Sequence, residues 1–533
     1  MHAAEQPATA VRPPGVPPIA ELEAHGAAIG RIDVYVQNIF DLDDPRENHG
    51  LYKLANELHI RTRERTVRKQ LLFASGDSLS AERLAETERI LRSRVYLNDA
   101  WVVPVAYDAA RNIVDLAVTV RDVWTLNPGV SIGRSGGANQ SSVQIEEENL
   151  LGLGTSLTVN RSHTIDRSST TFSYADNNLS NDWWQLGVNY SDNSDGKVKA
   201  VSLVRPFFAL DTRESGGVIV NDSTSVVSRY SNGSIFDQFS ELHDQVQGYI
   251  GGSPGLIDGW TQRWFAGVRY DETTFKEDPT AVMQPAVLPG DRKFVYPWFG
   301  WQVIEDRYVK TENLDLIGRT EDQYLGRSLY GELGYSAPPF GGVGRSWLVQ
   351  ATATDGWQSD DRRYLFLNAA LAGRVDDGAA HNVNLSAGGR YFERLTDRDL
   401  FYASLSGTTT HRLDPDQQVL LGGDSGLRGY PIRFQGGTSS ALLTLEERLY
   451  TNWYPFRLLR IGGAVFFDAG RTWGRDFAGA VPLGLLKDVG LGIRSGNNRS
   501  GLGNVLHVDI SYALDAPAGV KKVQISVATQ ARF

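Results

Sequence analysis

Apolar and polar residues alternate strictly at the end of the chain. One face of this segment carries Val523, Ile525, Val527, Thr529, Ala531 and Phe533. The other face carries Gln524, Ser526, Ala528, Gln530 and Arg532. A period of two indicates a β-strand, and a membrane barrel requires an apolar lipid face opposite a polar lumenal face. The pattern recurs over 505–512, where Leu506, Val508, Ile510 and Tyr512 oppose His507, Asp509 and Ser511.

From Trp124 onward the chain is predicted to be β throughout. Segments of about ten residues are separated by turn residues, as at 198–204, 264–270, 295–303 and 464–468. At an assumed ~25 residues per strand and connection, this part supplies roughly 16 strands. No repeat of fixed period is evident, which disfavours a propeller. The predicted fold class is mainly β, with a transmembrane antiparallel β-barrel over 124–533.

The residues before Trp124 follow a different pattern. Five prolines lie between Pro7 and Pro18, and residues 1–28 are predicted to be an extended tether with a short helix at 19–28. Residues 29–123 carry signals in the order strand, helices, strand, strand. These signals lie at 32–36, 51–58, 66–73, a helix capped by Ser80, 100–107 and 113–120. This order predicts one small α+β domain.

Residues 422–431 are predicted to form a tight loop. The sequence Gly-Gly-Asp-Ser-Gly-Leu-Arg-Gly-Tyr-Pro excludes a helix or a regular strand. Arg428 lies near its centre, and a guanidinium group can bind a carboxylate through two hydrogen bonds. Glu446 and Asp468 are the candidate partners downstream. The hypothesis is that Arg428 folds into the barrel interior and fixes the loop to the wall.

Strand parity places one of these partners, Asp468, on the lumenal face. Phe466, Asp468 and Gly470 share one face, which is assigned to the lumen because a carboxylate facing lipid would be unfavourable. Glu446 and Arg448 also share a face. They are expected to pair across strands as well as to bind Arg428.

Four motifs in order resemble the outer-membrane assembly superfamily that includes BamA, TamA and the FhaC-type secretion pores. Leu427-Arg428-Gly429-Tyr430 is similar to the tip of that family's sixth extracellular loop. Phe466–Gly470 is similar to its Phe-x-Asp-x-Gly strand, and Glu446-x-Arg448 and Gly490–Arg494 also fit. The C-terminal Phe533 resembles the signal by which barrel proteins are recognised for assembly. The resemblance is tight over the last third of the chain and looser over the rest of the barrel.

Residues 29–123 resemble a POTRA domain, which family members carry in the periplasm just before the barrel. The likeness rests on Gly76-Asp77-Ser78-Leu79-Ser80 before the last helix and Val118-Thr119-Val120-Arg121-Asp122 at the end. The segment 41–65 is longer than the usual pattern, and one unit is present where better-known relatives carry two or more. A generic small α+β domain therefore stays open. The edge strand of a POTRA domain could bind an extended client by strand addition.

Composition limits the function classes without separating a barrel from a large soluble all-β protein. The mean hydropathy is -0.29, and no run of 18 apolar residues occurs, so no transmembrane helix is predicted. A net charge of -10 argues against nucleic acid as the main partner. The absence of cysteine excludes disulfides and thiolate chemistry. The first residues lack the features of a signal peptide, so an outer-membrane protein with this sequence would be a mature chain or one with a misplaced start.

No catalytic, cofactor or metal site is predicted, and the protein is expected not to be an enzyme. Gly423-Asp424-Ser425-Gly426 matches the nucleophile tetrapeptide of trypsin-like proteases, but His381 lies only about 40 residues upstream. Outer-membrane phospholipases place Ser and His on the outer wall, and His163 with Ser162 or Ser168 stays an alternative. Glu146-Glu147-Glu148 is expected to be a polar strand end or turn rather than a metal site.

The resemblance implies a protein that inserts or translocates polypeptides at the bacterial outer membrane, with its N-terminal domain in the periplasm. The implied partners are the lipid bilayer with its lipopolysaccharide, an unfolded polypeptide client and accessory periplasmic proteins. The seam between the first and last barrel strands is expected to part and to template an incoming strand. The alternatives are a passive channel, an orphan structural barrel and a dedicated two-partner secretion pore.

Overall fold

Residues before the barrel form a small α+β unit in the computed structural model, which describes residues 10–180, 182–501 and 504–530. Its elements are α1 (Ile19–Ala24), β1 (Ala28–Gln37), α2 (Gly50–Leu58), α3 (Glu64–Arg68), α4 (Ala81–Arg92), β2 (Leu97–Asp108) and β3 (Ile113–Asp122). β3 is the central strand, parallel to β1 and antiparallel to β2. The strands and helices therefore follow the order that the sequence predicts.

One hydrophobic cluster holds this unit together. Alternate residues of β3 are fully buried against Leu84 and Leu91 of α4, namely Val114, Leu116, Val118 and Val120. Ser80 caps α4, since its hydroxyl accepts a hydrogen bond from the Arg83 N–H at 3.3 Å. Leu22 of α1 lies in the same cluster, so α1 packs with the unit although a tether was expected there. α3 ends at Arg68, short of the predicted helix end, and the chain turns through Gly76 (φ +94°) towards α4.

The rest of the chain supplies the barrel and two small hairpins. Its strands are β4 (Leu126–Ser135), β5 (Ala138–Glu147), β6 (Thr155–His163), β7 (Ser168–Leu179), β8 (Trp184–Asn193), β9 (Gly196–Arg205), β10 (Glu214–Ser231), β11 (Ser234–Gly252), β12 (Leu256–Ile257), β13 (Trp260–Lys276), β14 (Arg292–Glu305), β15 (Tyr308–Glu312), β16 (Thr320–Tyr324), β17 (Ser328–Ser336), β18 (Ser346–Asp360), β19 (Arg363–Asp376), β20 (Ala379–Arg394), β21 (Asp399–His411), β22 (Val419–Leu421), β23 (Gln435–Gly437), β24 (Ser439–Tyr450), β25 (Leu459–Trp473), β26 (Leu486–Asn497), β27 (Val505–Ala513) and β28 (Val523–Gln530). Short 3-10 turns lie at Leu150–Gly152, Pro338–Phe340 and Pro455–Arg457.

Twenty antiparallel strands close the barrel within the described residues, which confirms a mainly β barrel and corrects the estimate of about 16. β12 is a short segment beside the start of β13, while β15–β16 and β22–β23 form separate hairpins. The estimate was low because many connections are tight. Asn232-Gly233 and Asp377-Gly378, for example, take positive φ angles and turn the chain in two residues.

Side chains alternate between the two surfaces of the wall, as the sequence pattern predicts. Val130, Ile132, Leu491, Ile493 and Ile510 are exposed on the outside. Asp509, Ser511 and Gln524 are buried on the inside. A closed wall with an apolar outer band fits a lipid bilayer. No α-helix among the described residues is long and apolar enough to cross a membrane.

The N-terminal unit is fixed to the end of the barrel at which β4 begins. The Trp124 N–H donates to the Arg499 carbonyl oxygen at 2.7 Å, and the Gly501 N–H donates to that of Trp124 at 3.1 Å. Arg499 also donates to the Ile39 carbonyl oxygen at 2.6 Å and forms an ion pair with Glu47. We call this end of the barrel the N-terminal end.

Glu148, which follows β5, is enclosed at this junction. Its Oε2 atom is buried and has no hydrogen-bond partner among the described residues. Gly501 lies so close that a Cβ atom there would fall 1.6 Å from Oε2. Burial, assisted by the charges of Glu146 and Glu147, raises the pKa of Glu148 to about 8.

We expect the thermal stability of the wild type to fall, relative to Glu148→Gln, as pH rises from about 4 to about 8. The same carboxyl in an unfolded chain has a pKa near ~4.3. In this window the unfolded chain has lost a proton that the folded protein still holds, so the stabilisation present below pH ~4.3 is lost as pH rises through the folded pKa. Melting of the purified protein, followed by tryptophan fluorescence, measures the difference. Parallel profiles for the two proteins at every pH would contradict the expectation.

Candidate functional site: an arginine-anchored loop in the barrel lumen

The connection between β21 and β24, residues 412–438, folds back into the barrel. Leu427 and Tyr430 are completely buried there. They pack in one cluster with lumenal residues of β26 and β27, Leu486 and Ala513. β22 and β23 pair with each other at the neck of this loop. The tip around Arg428 is therefore held inside the wall.

Arg428 contacts both carboxylates that the sequence proposed as partners. Its Nε and Nη2 atoms donate to Asp468 Oδ2 and Oδ1 at 2.7 and 2.9 Å. Its Nη1 atom donates to Glu446 Oε1 at 2.8 Å. The guanidinium carbon lies 3.3 Å from the centroid of the Phe466 ring. A planar cation thus has carboxylates at its edge and an aromatic ring against its face.

The ion pairs continue beyond Arg428. The second oxygen of Glu446 accepts a hydrogen bond from Arg448 Nε at 2.9 Å. Asp509 forms an ion pair with Arg494 and lies 3.7 Å from Arg428 Nη1. Three guanidinium groups thus face three carboxylates, and the side chains of Asp468 and Arg494 are completely buried. Loss of one member would leave an opposite charge without compensation.

Two glycines allow the loop tip to approach the wall. A Cβ atom on Gly429 would lie 2.6 Å from Asp488 Cβ, and one on Gly470 would lie 2.8 Å from Leu421 Cδ2. Either added atom would force the backbone or a packed side chain to move. The glycine of the Arg-Gly-Tyr sequence and the last glycine of the Phe-x-Asp-x-Gly strand thus have a steric explanation.

Further hydrogen bonds fix the loop on both sides of Arg428. The Tyr430 hydroxyl donates to the Lys487 carbonyl oxygen at 2.9 Å, and Ser511 Oγ donates to the Arg428 carbonyl oxygen at 2.8 Å. Ser135 Oγ, at the end of β4, donates to the Gly423 carbonyl oxygen at 2.8 Å. The loop therefore touches β26 and β27 at its tip and the first barrel strand at its base.

The structure brings together every predicted site residue except the C-terminal one. The assembled residues are Leu427, Arg428, Gly429, Tyr430, Glu446, Arg448, Phe466, Asp468 and Gly470. Phe533 lies outside the described residues. Arg448 pairs with Glu446 along β24 rather than across strands as expected, because both side chains point into the lumen two residues apart.

Sequence reasoning did not include Arg494, Asp509, Ser511 or Thr444 in the site. Thr444 Oγ1 donates to Asp468 Oδ1 at 2.8 Å. Parity had assigned Asp509 and Ser511 to the lumenal face, but the strand register that places them beside the loop is not visible in one sequence. Arg494 belongs to the Gly490–Arg494 motif. Its contact with Asp509 could not be predicted, because one sequence does not show how β26 and β27 are aligned.

A second insertion fills the lumen at the N-terminal end. Residues 306–327, which we call the plug hairpin, contain β15 and β16 and connect barrel strands β14 and β17. Leu314 and Ile317 pack among lumenal wall residues that include Phe392, Tyr450 and Val505. Arg390 holds Asp315 at 2.7 Å. The plug hairpin therefore lies within the barrel rather than beside it.

The plug hairpin links the N-terminal unit to the arginine network. Arg92 of α4 donates to both oxygens of Asp322 at 2.7 and 2.8 Å, and Thr320 donates to Asp99 at 2.8 Å. On its other side, Arg448 Nη1 donates to the Leu314 carbonyl oxygen at 3.0 Å. Since Arg448 also binds Glu446, contacts run without a break from α4 to Arg428.

The residues of the alternative catalytic hypotheses have local partners. The Ser425 hydroxyl accepts from the Gly422 N–H at 2.7 Å within its own turn. His163 Nδ1 lies 2.8 Å from Ser168 Oγ, directly opposite it in the β6–β7 pair. Over the described ranges, no three His, Asp or Glu residues are grouped so as to hold a metal ion. That the protein is not an enzyme stays a prediction.

Solved barrel structures resemble this fold. The chain is similar to BamA from Haemophilus ducreyi lacking POTRA domains 1-3, with 12% identity, a TM-score of 0.39 and coverage of 94% of this chain and 84% of that one. It is similar to CdiB from Escherichia coli, with 13% identity, a TM-score of 0.48 and coverage of 95% of this chain and 76% of that one. It is also similar to the FrpB iron transporter from Neisseria meningitidis, with 9% identity, a TM-score of 0.40 and coverage of 95% of this chain and 91% of that one.

No family model matches the chain, and no curated protein matches it. The similarity to BamA and CdiB agrees with the resemblance that the loop and strand motifs carry. At these identities and TM-scores, however, the similarities do not indicate a function, and the similar barrels differ in function among themselves.

We expect Arg428→Ala to release the loop while the barrel stays folded. Loss of the guanidinium leaves Asp468 uncompensated, while Glu446 keeps Arg448 as a partner. The cost is ~3–5 kcal/mol if water stays excluded and much less if water enters. Amide hydrogen exchange of residues 422–431 should become faster, whereas folded-barrel migration on an unheated gel should be retained.

Arg433→Ala is the matched control. Arg433 lies in the same loop but outside the network, where it binds Asp166 through two hydrogen bonds at 2.7 Å and lies 3.6 Å from Asp424. These partners are more exposed than Asp468 and Glu446, so loss of Arg433 leaves charges that water can reach. If Arg428→Ala accelerated loop exchange no more than Arg433→Ala does, the anchoring role of Arg428 would be refuted.

Proposed function

We propose that this protein inserts or translocates polypeptides at the bacterial outer membrane, with the Arg428 loop holding a closed resting state. The observation that supports the proposal is that two segments of the chain, the Arg428 loop and the plug hairpin, fill the lumen. The loop fills one part of it, and the plug hairpin fills the N-terminal end. A passive channel gains nothing from such filling, whereas a barrel that handles polypeptides needs a closed state between clients.

The seam of the barrel supports the same proposal. Within the described residues, a single pair, Val527 with Arg134, is matched between β28 and β4. The neighbouring pair β27–β28 is matched at eight positions from Val505 to Tyr512. Over the described part of β28, the seam therefore has fewer matched positions than the β27–β28 pair, and an edge paired so sparsely suits strand addition by a client.

The N-terminal unit is proposed to act as a periplasmic POTRA-like domain that receives the client. Its α4 contacts the plug hairpin through Arg92 and Asp322. A client that displaces this contact would act on the plug hairpin and, through Arg448, on the loop. Binding at one end of the barrel would thus be coupled to its closed state.

Depletion of the protein, followed by quantification of the outer-membrane and secreted proteomes, tests the function. A general assembly role predicts loss of many barrel proteins from the outer membrane. Loss of one exported protein alone would instead assign the chain as a dedicated secretion pore. No change in either proteome would refute polypeptide handling and favour a channel or structural barrel.

A disulfide across the seam should abolish complementation of the depleted strain. The double variant Arg134→Cys/Val527→Cys joins the matched pair of β4 and β28, and the chain has no other cysteine. The control Ile510→Cys/Ile525→Cys joins a matched pair of β27 and β28, which does not need to part. Equal complementation by both oxidised variants would refute opening at the seam, and reduction should restore the first variant.

A further inference from the structure

Helix α2 presents three distinct faces. The first packs against the N-terminal unit, where Tyr52 stacks on Phe40 with ring centroids 4.5 Å apart and Asn56 binds the Phe40 main chain. The second carries the solvent-exposed Lys53 and Glu57. The third carries three leucines, Leu51, Leu54 and Leu58, which are 65%, 51% and 64% exposed.

The leucine face is unusual for a surface helix. Apolar residues spaced three and four positions apart normally face the core. In α2 an aromatic and an amide side chain face inward, while the leucines have no cover from the described part of the chain. Ile60, just after the helix, is also 53% exposed. An exposed apolar stripe of this kind marks an interaction surface.

Contacts with the barrel rim show where this surface lies. The Tyr52 hydroxyl donates to the Phe456 carbonyl oxygen at 3.0 Å, in the turn between β24 and β25. That turn exposes Trp453 and Phe456, and the strand ends beside it expose Leu449 and Leu459. Helix α2 therefore lies at the rim of the barrel at its N-terminal end, beside a turn with exposed apolar side chains.

The segment after α2 reaches a second rim turn. Arg63 Nε donates to the Leu151 carbonyl oxygen at 2.9 Å, between β5 and β6. In the order of the wall, the seam of β28 and β4 lies between this turn and the turn at Phe456. Residues 50–63 thus connect rim turns on either side of the seam.

We infer that α2 is an interfacial helix whose leucine face enters the lipid leaflet at the N-terminal end of the barrel, next to the seam. The occupant of the face is phospholipid, because α2 lies at the rim of the lipid-facing wall, beside the turn that exposes Trp453 and Phe456. Exposed Arg61 and Arg65 follow the helix and suit anionic headgroups. The inference requires only that the barrel spans a bilayer, so it stands apart from the proposed function.

The absence of native cysteine allows a direct test in the full-length protein. Leu54→Cys and the control Glu57→Cys would each carry an environment-sensitive fluorophore, in nanodiscs of phosphatidylethanolamine and phosphatidylglycerol. Nitroxide on the acyl chains serves as the lipid quencher, and iodide as the aqueous quencher. We expect the probe at residue 54 to be blue-shifted and quenched by the lipid, and the probe at residue 57 to be quenched by iodide.

Equal lipid quenching at both positions, or iodide quenching of the probe at residue 54, would overturn the inference. Shielding of residue 54 in native membranes but not in nanodiscs would also overturn it, since that result would assign the face to a protein partner. Both substitutions lie at exposed positions, and folded-barrel migration on an unheated gel checks each variant. Leu58→Cys should reproduce the result for residue 54.

Discussion

A buried arginine loses its hydrating water and needs carboxylates to balance its charge. The position of the loop depends on the carboxylates that bind Arg428. Asp468 binds it through both oxygens, Glu446 binds it from the side, and Phe466 covers its face. Such a network gains little over a hydrophobic substitute in stability, but it defines one position for the loop. The loop tip is therefore set by charge, and the surrounding leucines and glycines fit around that position.

The two insertions in the lumen connect the N-terminal unit, the arginine network and the strands on both sides of the seam. The loop contacts β4 at its base and β26 and β27 at its tip, so it spans the seam from within. The plug hairpin contacts α4 on one side and Arg448 on the other. Under the proposed function, a movement of the N-terminal unit would reach the wall strands through these contacts, and the seam, with one matched pair over the described residues, would be the part of the wall that responds.

Much of this arrangement follows from local sequence. Period-two alternation assigned Asp468 to the lumen and placed Glu446 and Arg448 on one face, and Ser80 marked the start of α4, because strand faces and helix caps are set by neighbouring residues. The strand number was underestimated, since tight turns such as Asn232-Gly233 shorten the connections. The plug hairpin escaped prediction because its anchors, Leu314 and Ile317, find partners far away in sequence. Likewise, the leucines of α2 have helical spacing, but the sequence does not reveal that they face outward.

A double-mutant cycle on Arg428 and Asp468 tests the central claim most directly. Amide hydrogen exchange of residues 422–431 would be measured in the wild type, Arg428→Ala, Asp468→Asn and the double variant. If the two side chains act as one pair, the double variant should exchange no faster than Arg428→Ala alone. Accelerations that multiply in the double variant would mean that the residues act independently, and the loop would not be held by this ion pair.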